Sequence, residues 1–379
     1  MIITHNGTIL ANDGVVITKS DIEPVDPDFK FTIDTTFIDA TTITDNHSFQ
    51  LKLQNGSTDV VIEWGDGNSD VVTSNIDPVL VHDYGIGNEG VYQIVIKGSF
   101  EGIGNPPSSG ANNTDGGKWL SLDNWGTNSF NNMQQSFEKC ANMVGNYTDT
   151  PNTSSCTDMS FMFYDCSNFN SPVNFDTSSC TNLEGTFLGC TLFNQPINWN
   201  TQNVVSFLLC FYNCSNFNSP VTLNGLLNAD NVASMFNGCT NFNSLVTLST
   251  PSNITNMGGM FQRTSFNQDV SDWDVSNVTN MRFMFATSPF DQDLSNWDIS
   301  GMVVPNASEA PGSANRMFYG TCSFSTANYD LLLVGWNAYV VPGTTGIQFN
   351  ACNTKYSAGA PATARANMIS FEWTIGDGG

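Results

Sequence analysis

Positive charge is scarce in this chain. Lys and Arg together number 11 against 35 Asp and Glu in 379 residues, and the formal net charge is −24. Such a polyanion is repelled by nucleic-acid phosphates and by anionic lipid surfaces, which excludes both as partners. Histidine is nearly absent: His5, His47 and His82 are the only three, all far upstream of the cysteine-rich region, and no CxxC pair occurs. The usual zinc donor sets are therefore missing. No stretch approaches the ~18 consecutive apolar residues of a membrane span, and the opening MIITHNGTILANDGVVITKS has no basic segment followed by an unbroken apolar run. The sequence as given is thus expected to carry neither a spanning helix nor a secretory signal. Also missing are a GxSxG serine setting, an HExxH pair and a phosphate-cradling glycine loop. High acidity with few charges of the other sign often accompanies disorder, but 27 Phe and 12% aromatic residues argue for a packed core.

What is present is a repeated phrase, clearest over residues 275–300, VSNVTNMRFMFATSPFDQDLSNWDIS. Its first fixed Phe recurs as Phe137, Phe163, Phe187, Phe211, Phe236, Phe261, Phe285 and Phe318, at spacings of 26, 24, 24, 25, 25, 24 and 33 residues. A period of about 24 residues over roughly eight copies lies in the leucine-rich-repeat range and predicts a solenoid. The [ML]-x-x-[ML]-F segment places apolar residues at i, i+3 and i+4, which predicts a short helix or 3₁₀ turn in each copy. Met281, Met284, Trp273 and Trp297 join the repeat Phe residues as expected core. Cys140, Cys166, Cys190, Cys214 and Cys239 each follow the repeat Phe by three positions, while Cys156 and Cys180 share a position with Ile254 and Val278. Exchange with Ile and Val within one chain points to small buried hydrophobes, with bridges between neighbouring rungs as the alternative. Recurring Asn168, Asn170, Asn194, Asn218, Asn243 and Asn267 are placed to stack as a ladder bonding the loop backbone from rung to rung.

The chain divides as follows. Residues 1–27 form a β arm and Pro-containing linker, with strands expected at Ile2–Thr4 and Val15–Thr18. Residues 28–104 alternate apolar and polar in several short runs and predict a β-sandwich. Residues 105–118, NPPSSGANNTDGGK, read as a polar loop. The solenoid runs over 119–328 and a closing cap over 329–379. The fold class is mainly β with short helices. Ile62-Glu63-Trp64-Gly65-Asp66-Gly67, followed by His82-Asp83-Tyr84 and Gly90-Val91-Tyr92, resembles a PKD-type immunoglobulin-like domain, a class that commonly serves as a spacer. Asp66, Asp70 and Asp83 are oxygen donors for a Ca2+ site or, as Asp in turns more often does, partners of their own backbone; no EF-hand spacing is present. No other cofactor is expected. His82, two residues from a strand Tyr, is expected to be packed and hydrogen-bonded.

The string Phe266-Asn267-Gln268-Asp269-Val270-Ser271-Asp272-Trp273-Asp274-Val275-Ser276-Asn277-Val278-Thr279-Asn280-Met281 resembles the BspA-type leucine-rich-repeat surface proteins with mycoplasma-type lipoprotein repeats. That resemblance implies adhesion or surface recognition. Asp291 and Asp293 could be taken for a glycosidase pair, but the same position recurs as Asp269, whereas a catalytic pair would be unique; no enzymatic activity is expected. The expected function is non-enzymatic: a phage virion component (tail or head fibre, decoration or host-adhesion protein) displaying a solenoid for protein or glycan binding, or a bacterial cell-surface adhesin. Expected partners are other virion proteins or a host surface protein or glycan, with self-association an open alternative. The polar side chains between core positions, Asn267, Gln268, Asp269, Asp291, Gln292 and Asp293, form the candidate binding face.

Overall fold

The computed structural model describes residues 2–3, 9–10, 16–17, 26–38, 44–54, 60–72, 79–104, 115–248, 253–302, 316–320, 324–340 and 347–379. At the N-terminus β1 (Ile2–Ile3), β2 (Ile9–Leu10) and β3 (Val16–Ile17) form an antiparallel meander. The first and last lie within the strands expected at Ile2–Thr4 and Val15–Thr18, and the middle one, not expected, lies between the turn-forming pairs Asn6-Gly7 and Asp13-Gly14. Residues 18–25 of the proposed linker lie outside the described set.

The next unit is built from β4 (Phe29–Asp34), β5 (Ser48–Gln54), β6 (Val60–Glu63), β7 (Ser69–Val72), β8 (Val79–Asp83), β9 (Val91–Lys97) and β10 (Gly102–Ile103). In β4 every second residue is buried, so Phe29, Phe31 and Ile33 face the interior, as strand geometry requires. β11 (Trp119–Asn124) opens the solenoid, pairs antiparallel with β4 and pairs in parallel with β12 (Val144–Gly145). One six-stranded sheet, in the order β12-β11-β4-β9-β6-β7, thus runs from the sandwich into the first rung, and a three-stranded sheet, β10-β5-β8, faces it. Phe31 meets Phe49 of the facing sheet at 6.0 Å and stacks on Trp119 at 4.0 Å, and Trp119 in turn meets Phe137 at 5.6 Å. The two cores are therefore one continuous apolar cluster.

The join also holds a buried ion. Residues 105–114 of the proposed loop lie outside the described set, but its end, Asp115–Lys118, is interior. The Lys118 side chain is fully buried, and Nζ donates to Thr44 Oγ1 at 2.6 Å, Asp45 O at 2.5 Å and Ser48 O at 2.7 Å. Asp115, 4.0 Å away and also buried, accepts from the backbone of Gln50 at 2.8 Å. Burial holds the Lys118 pKa below its ordinary value.

The solenoid makes about 9 turns of roughly 24 residues. Among the described residues the repeats contain no helix, so the helix or 3₁₀ turn expected in each copy is corrected to a run of tight turns. β13 (Ile197–Asn200), β14 (Val221–Asn224) and β15 (Val246–Leu248) pair in parallel along one side. The cap consists of α1 (Thr326–Trp336), β16 (Gln348–Asn350), α2 (Ala360–Ser370) and β17 (Thr374–Gly376). Ser325 caps the N-terminus of α1 by accepting from Asn328 N. Trp336 Nε1 donates to Leu294 O at 3.0 Å as Trp297 Nε1 donates to Val270 O at 2.9 Å, so the cap copies a contact of the preceding rung.

Asp377 ties the cap together. Its carboxylate accepts from Arg365 Nε at 2.7 Å, Arg365 Nη2 at 2.9 Å and Tyr329 Oη at 2.7 Å. Burial alone would raise its pKa, but the Arg365 and Tyr329 hydrogen bonds outweigh that and hold it below the ordinary carboxylate value of 3.8. A depressed folded-state pKa gives stability that is present above the unfolded value and lost as pH falls through the folded one. Cap stability should therefore decline below about pH 4, and Asp377→Asn should cost about 2 kcal/mol at neutral pH while flattening that acid limb. Chemical denaturation between pH 2 and 7 measures both; an unchanged acid limb in the variant would show that Asp377 is not the titrating group.

Candidate functional site

Each rung begins with a polar residue that organises its own turn. Asn182, Asn231, Asn256 and Asn280 each accept, through Oδ1, from the backbone N–H two residues ahead, at 3.0–3.1 Å. The same residues form a column of single-residue parallel bridges, Asn132↔Asp158↔Asn182↔Ser206↔Asn231↔Asn256↔Asn280. From there alternate backbone N–H groups leave the rung. Met257, Gly259, Phe261 and Arg263 donate to Asn280, Arg282, Met284 and Ala286 of the next rung at 2.8–2.9 Å, while the intervening Met260 and Gln262 close i−3 turns. This geometry needs a left-handed residue at every fourth position. Gly185 and Gly189, Gly238, Gly259 and Gly320 supply some of these, and Gln135, Lys139, Phe161, Asp165, Leu209, Asn213, Arg263, Phe283 and Thr287 adopt the same conformation, with φ of 54–62°. A non-Gly residue there costs roughly 1–2 kcal/mol. The inter-rung hydrogen bonds, at about 1 kcal/mol each, offset it.

Inside the rungs the expected core residues are all buried. Phe137, Phe163, Phe187, Phe211, Phe236, Phe261, Phe285 and Phe318 form one stack with ring centroids 5.3–5.9 Å apart and planes within 15°. Rungs of a sheet lie ~4.8 Å apart, so these spacings describe offset stacking. The second Phe of each copy packs against the first, as Phe242 does on Phe236 at 4.3 Å. Met281, Met284, Trp273 and Trp297 are buried beside them.

The cysteines are part of this packing. Cys140, Cys156, Cys166, Cys180, Cys190, Cys210, Cys214 and Cys239 are free and buried, whereas Cys352 is disulfide-bonded. Cys166, Cys190, Cys214 and Cys239 donate S–H to the carbonyl of the repeat Phe one rung back, at 2.8–2.9 Å. Burial pushes the Cys180 thiol up to about 11 and Cys156 up to about 12, and raises Cys140, Cys190, Cys210 and Cys214 further. Thiolate chemistry is suppressed at such sites. The eight free thiols should react with a thiol reagent only on unfolding; rapid labelling of the native protein at any of them would contradict this packing.

The candidate binding residues lie along a second ladder. The backbone N–H groups of Asn194, Asn218, Asn243, Asn267 and Asp291 each donate at 2.8 Å to Oδ1 of the Asn one rung back, beginning at Asn170. Gln268 and Gln292 send their amides to the same residues, Asn243 and Asn267. Asp291 replaces Asn in the last rung and accepts from Ser325 and Asn328, joining the ladder to α1. Asp269 and Asp293 accept from the backbone of Ser271 and Ser295. The structure thus brings Asn267, Gln268, Asp291 and Gln292 together as inter-rung partners and leaves the Asp269 carboxylate exposed. Asn168 bonds the preceding rung through its backbone instead, by donating to Ala141 O.

In the sandwich, His82 stacks on Trp64 at 4.8 Å and its Nε2 lies 2.8 Å from Asp66. Asp70 accepts from Trp64 Nε1 at 2.8 Å, and Asp83 pairs with His47 at 2.8 Å. The three carboxylates raised for Ca2+ each hold a separate protein partner.

The outward face of the turn ladder was missed by sequence reasoning. Its side chains stand two or three positions before and one or two after the repeat Phe, where residue type changes from rung to rung: Gln134 and Lys139, Glu184 and Leu188, Leu209 and Tyr212, Arg282 and Phe283. Toward the cap three arginines lie against aromatic rings. Arg263 sits 5.9 Å from Tyr212, Arg282 lies 5.1 Å from Phe283, and Arg316 lies 6.0 Å from Phe283 and 5.4 Å from Tyr319. A shallow cavity of about 300 Å³ lies at Arg282, floored by Ala233, Gly258 and Gly259 and edged by Gln262, Arg282 and Phe283. The available signal was that three of the chain's four arginines fall within three consecutive rungs.

A stacked array of near-identical turns, closed at one end by a sandwich and at the other by a helical cap, defines a repeat-solenoid protein of the surface type. The chain belongs to the family described as Mycoplasma protein of unknown function, DUF285, which matches residues 131–248 and 231–341. No curated protein and no solved structure matches it.

Proposed function

We propose that this protein is a non-enzymatic recognition component, carried on a phage particle as a tail or head fibre, decoration or host-adhesion protein, whose solenoid presents a binding surface to a host protein or glycan. One observation carries the reading: inward positions repeat Phe, Met and Cys, while outward positions on the same rungs differ from copy to copy. A rigid scaffold with a variable face is what recognition requires, and solenoids supply it over a long surface. The sandwich, with its likeness to PKD-type domains, would act as the spacer and as the attachment to other virion proteins. Nucleic acid is not a partner, on grounds of charge, and contacts between copies of the chain are compatible with the exposed faces. Among the described residues no helix is long and apolar enough to cross a membrane.

Eight buried free thiols favour folding in a reducing compartment, where virions assemble. The disulfide at Cys352 favours the second reading, an adhesin on the bacterial cell surface. Antibody labelling of particles released by the producing culture and of its intact cells separates the two. Label on particles is the expected result, label on cells alone supports the adhesin, and label on neither removes the surface-recognition reading.

A further inference from the structure

In a chain with net charge −24, the outward positions of the rungs from Leu208 to Gly320 carry Arg263, Arg282 and Arg316 and no Asp or Glu. The earlier rungs differ: Glu138, Asp165 and Glu184 occupy the same positions there. Arg365, the fourth arginine, is bound by Asp377 within the cap. Among the described residues none of the other three pairs with a carboxylate. Arg282 and Arg316 are both exposed and share one aromatic ring, two like charges with no counter-ion among the described residues. Arg263 is held in place by Asn237 Oδ1 at 2.9 Å and Tyr212 Oη at 3.0 Å.

We propose that the cavity edged by Arg282, with the outward face that runs from Arg263 to Tyr319, binds a carboxylated saccharide. The planar guanidinium groups match a sugar carboxylate and present paired donors to it. Asn256, Gln262 and Asn280 line the cavity and offer amide donors and acceptors to hydroxyl groups. Gly258 and Gly259 keep its floor low enough for a ring to approach the backbone. Tyr319, 51% exposed, presents a flat apolar surface to the C–H face of a pyranose, and Phe283 stands edge-on to it at 6.4 Å. An acidic peptide fits less well. The ladder amides are already bonded from rung to rung, so an extended peptide finds no open strand edge to extend, and the shallow cavity offers no deep apolar pocket for its side chains.

This proposal rests on the recognition reading and names its ligand class, but the two fail separately: labelling of particles or cells is independent of any sugar. The test is titration of the full chain with 3′-sialyllactose, trigalacturonate, lactose and oligoglutamate, followed by calorimetry. At least one of the two carboxylated sugars should bind on the order of tenfold or more tighter than lactose, the difference a charged hydrogen bond supplies. Arg282→Gln with Arg316→Gln should abolish that difference, and raised salt should narrow it. Equal affinity for lactose, no sugar binding at all, tighter binding of oligoglutamate, or indifference to the double substitution would each overturn the proposal.

Discussion

Phe236→Ala should lower the stability of the solenoid by about 3–5 kcal/mol, the range for deleting a fully buried aromatic side chain from a packed core. Phe236 is 0% exposed and touches rings on every side: Phe211 and Phe261 at 5.6 Å above and below, Phe242 at 4.3 Å within its own rung and Phe217 at 6.2 Å. The backbone on both sides of the site is tied to neighbouring rungs, so the walls cannot close over the lost volume. In a solenoid each unit is stable mainly through contact with its neighbours, so a cavity in a middle rung weakens two interfaces at once. The unfolding transition should lose cooperativity as well as midpoint. By contrast Leu209→Ala, on the outward face two residues before a repeat Phe, should change stability by less than about 1 kcal/mol, in line with a partly exposed surface site. Denaturant melts of both variants check the contrast, and similar losses would contradict the assignment of inward and outward faces.

Lys118→Met should cost a further distinct amount, about 3–5 kcal/mol, because removing one member of a buried charged group strands the other. The substitution keeps an unbranched chain of similar length but deletes the donor to Thr44, Asp45 and Ser48. The carbonyls of Asp45 and Ser48 each lose a donor, and Asp115 is left as an interior carboxylate without its cation. The damage should localise to the junction, where Asp115 also anchors Gln50 of β5. A double variant, Lys118→Met with Asp115→Asn, should recover part of the loss, since the stranded charge is then absent. No recovery would mean that the pair does not act as a unit.

Much of the architecture was legible in the residues because the repeat repeats its physics. Phe at a fixed period marked the stack, Cys exchanging with Ile and Val marked buried small groups, and Asn170 through Asn267 marked the ladder. The turn geometry was not legible. Apolar spacing of i, i+3 and i+4 fits a helix, and it fits equally a chain of i−3 turns whose alternate amides are taken by the next rung. Those inter-rung bonds override local preference, which is how Phe161, Leu209 and Phe283 come to lie in the left-handed region. The clue was present in Gly185, Gly189, Gly238 and Gly259, which stand where other copies place side chains. Lys118 and Asp115 were hidden for a different reason: a polar, glycine-containing stretch gives no local sign that its end is buried by a distant strand. The arginine face was hidden because the two residue types that build it, Arg and aromatic, occupy neighbouring rather than identical repeat positions.

Hydrogen exchange in the native protein tests the rung-to-rung bonding most directly. The amides of Phe163, Phe187, Phe211, Phe236 and Phe261, with those of Asn194, Asn218, Asn243 and Asn267, each donate across a rung boundary. They should exchange slowly and open together. Phe amides protected while the Asn amides exchange freely, or protection following a helical i−4 pattern within each copy, would contradict the account.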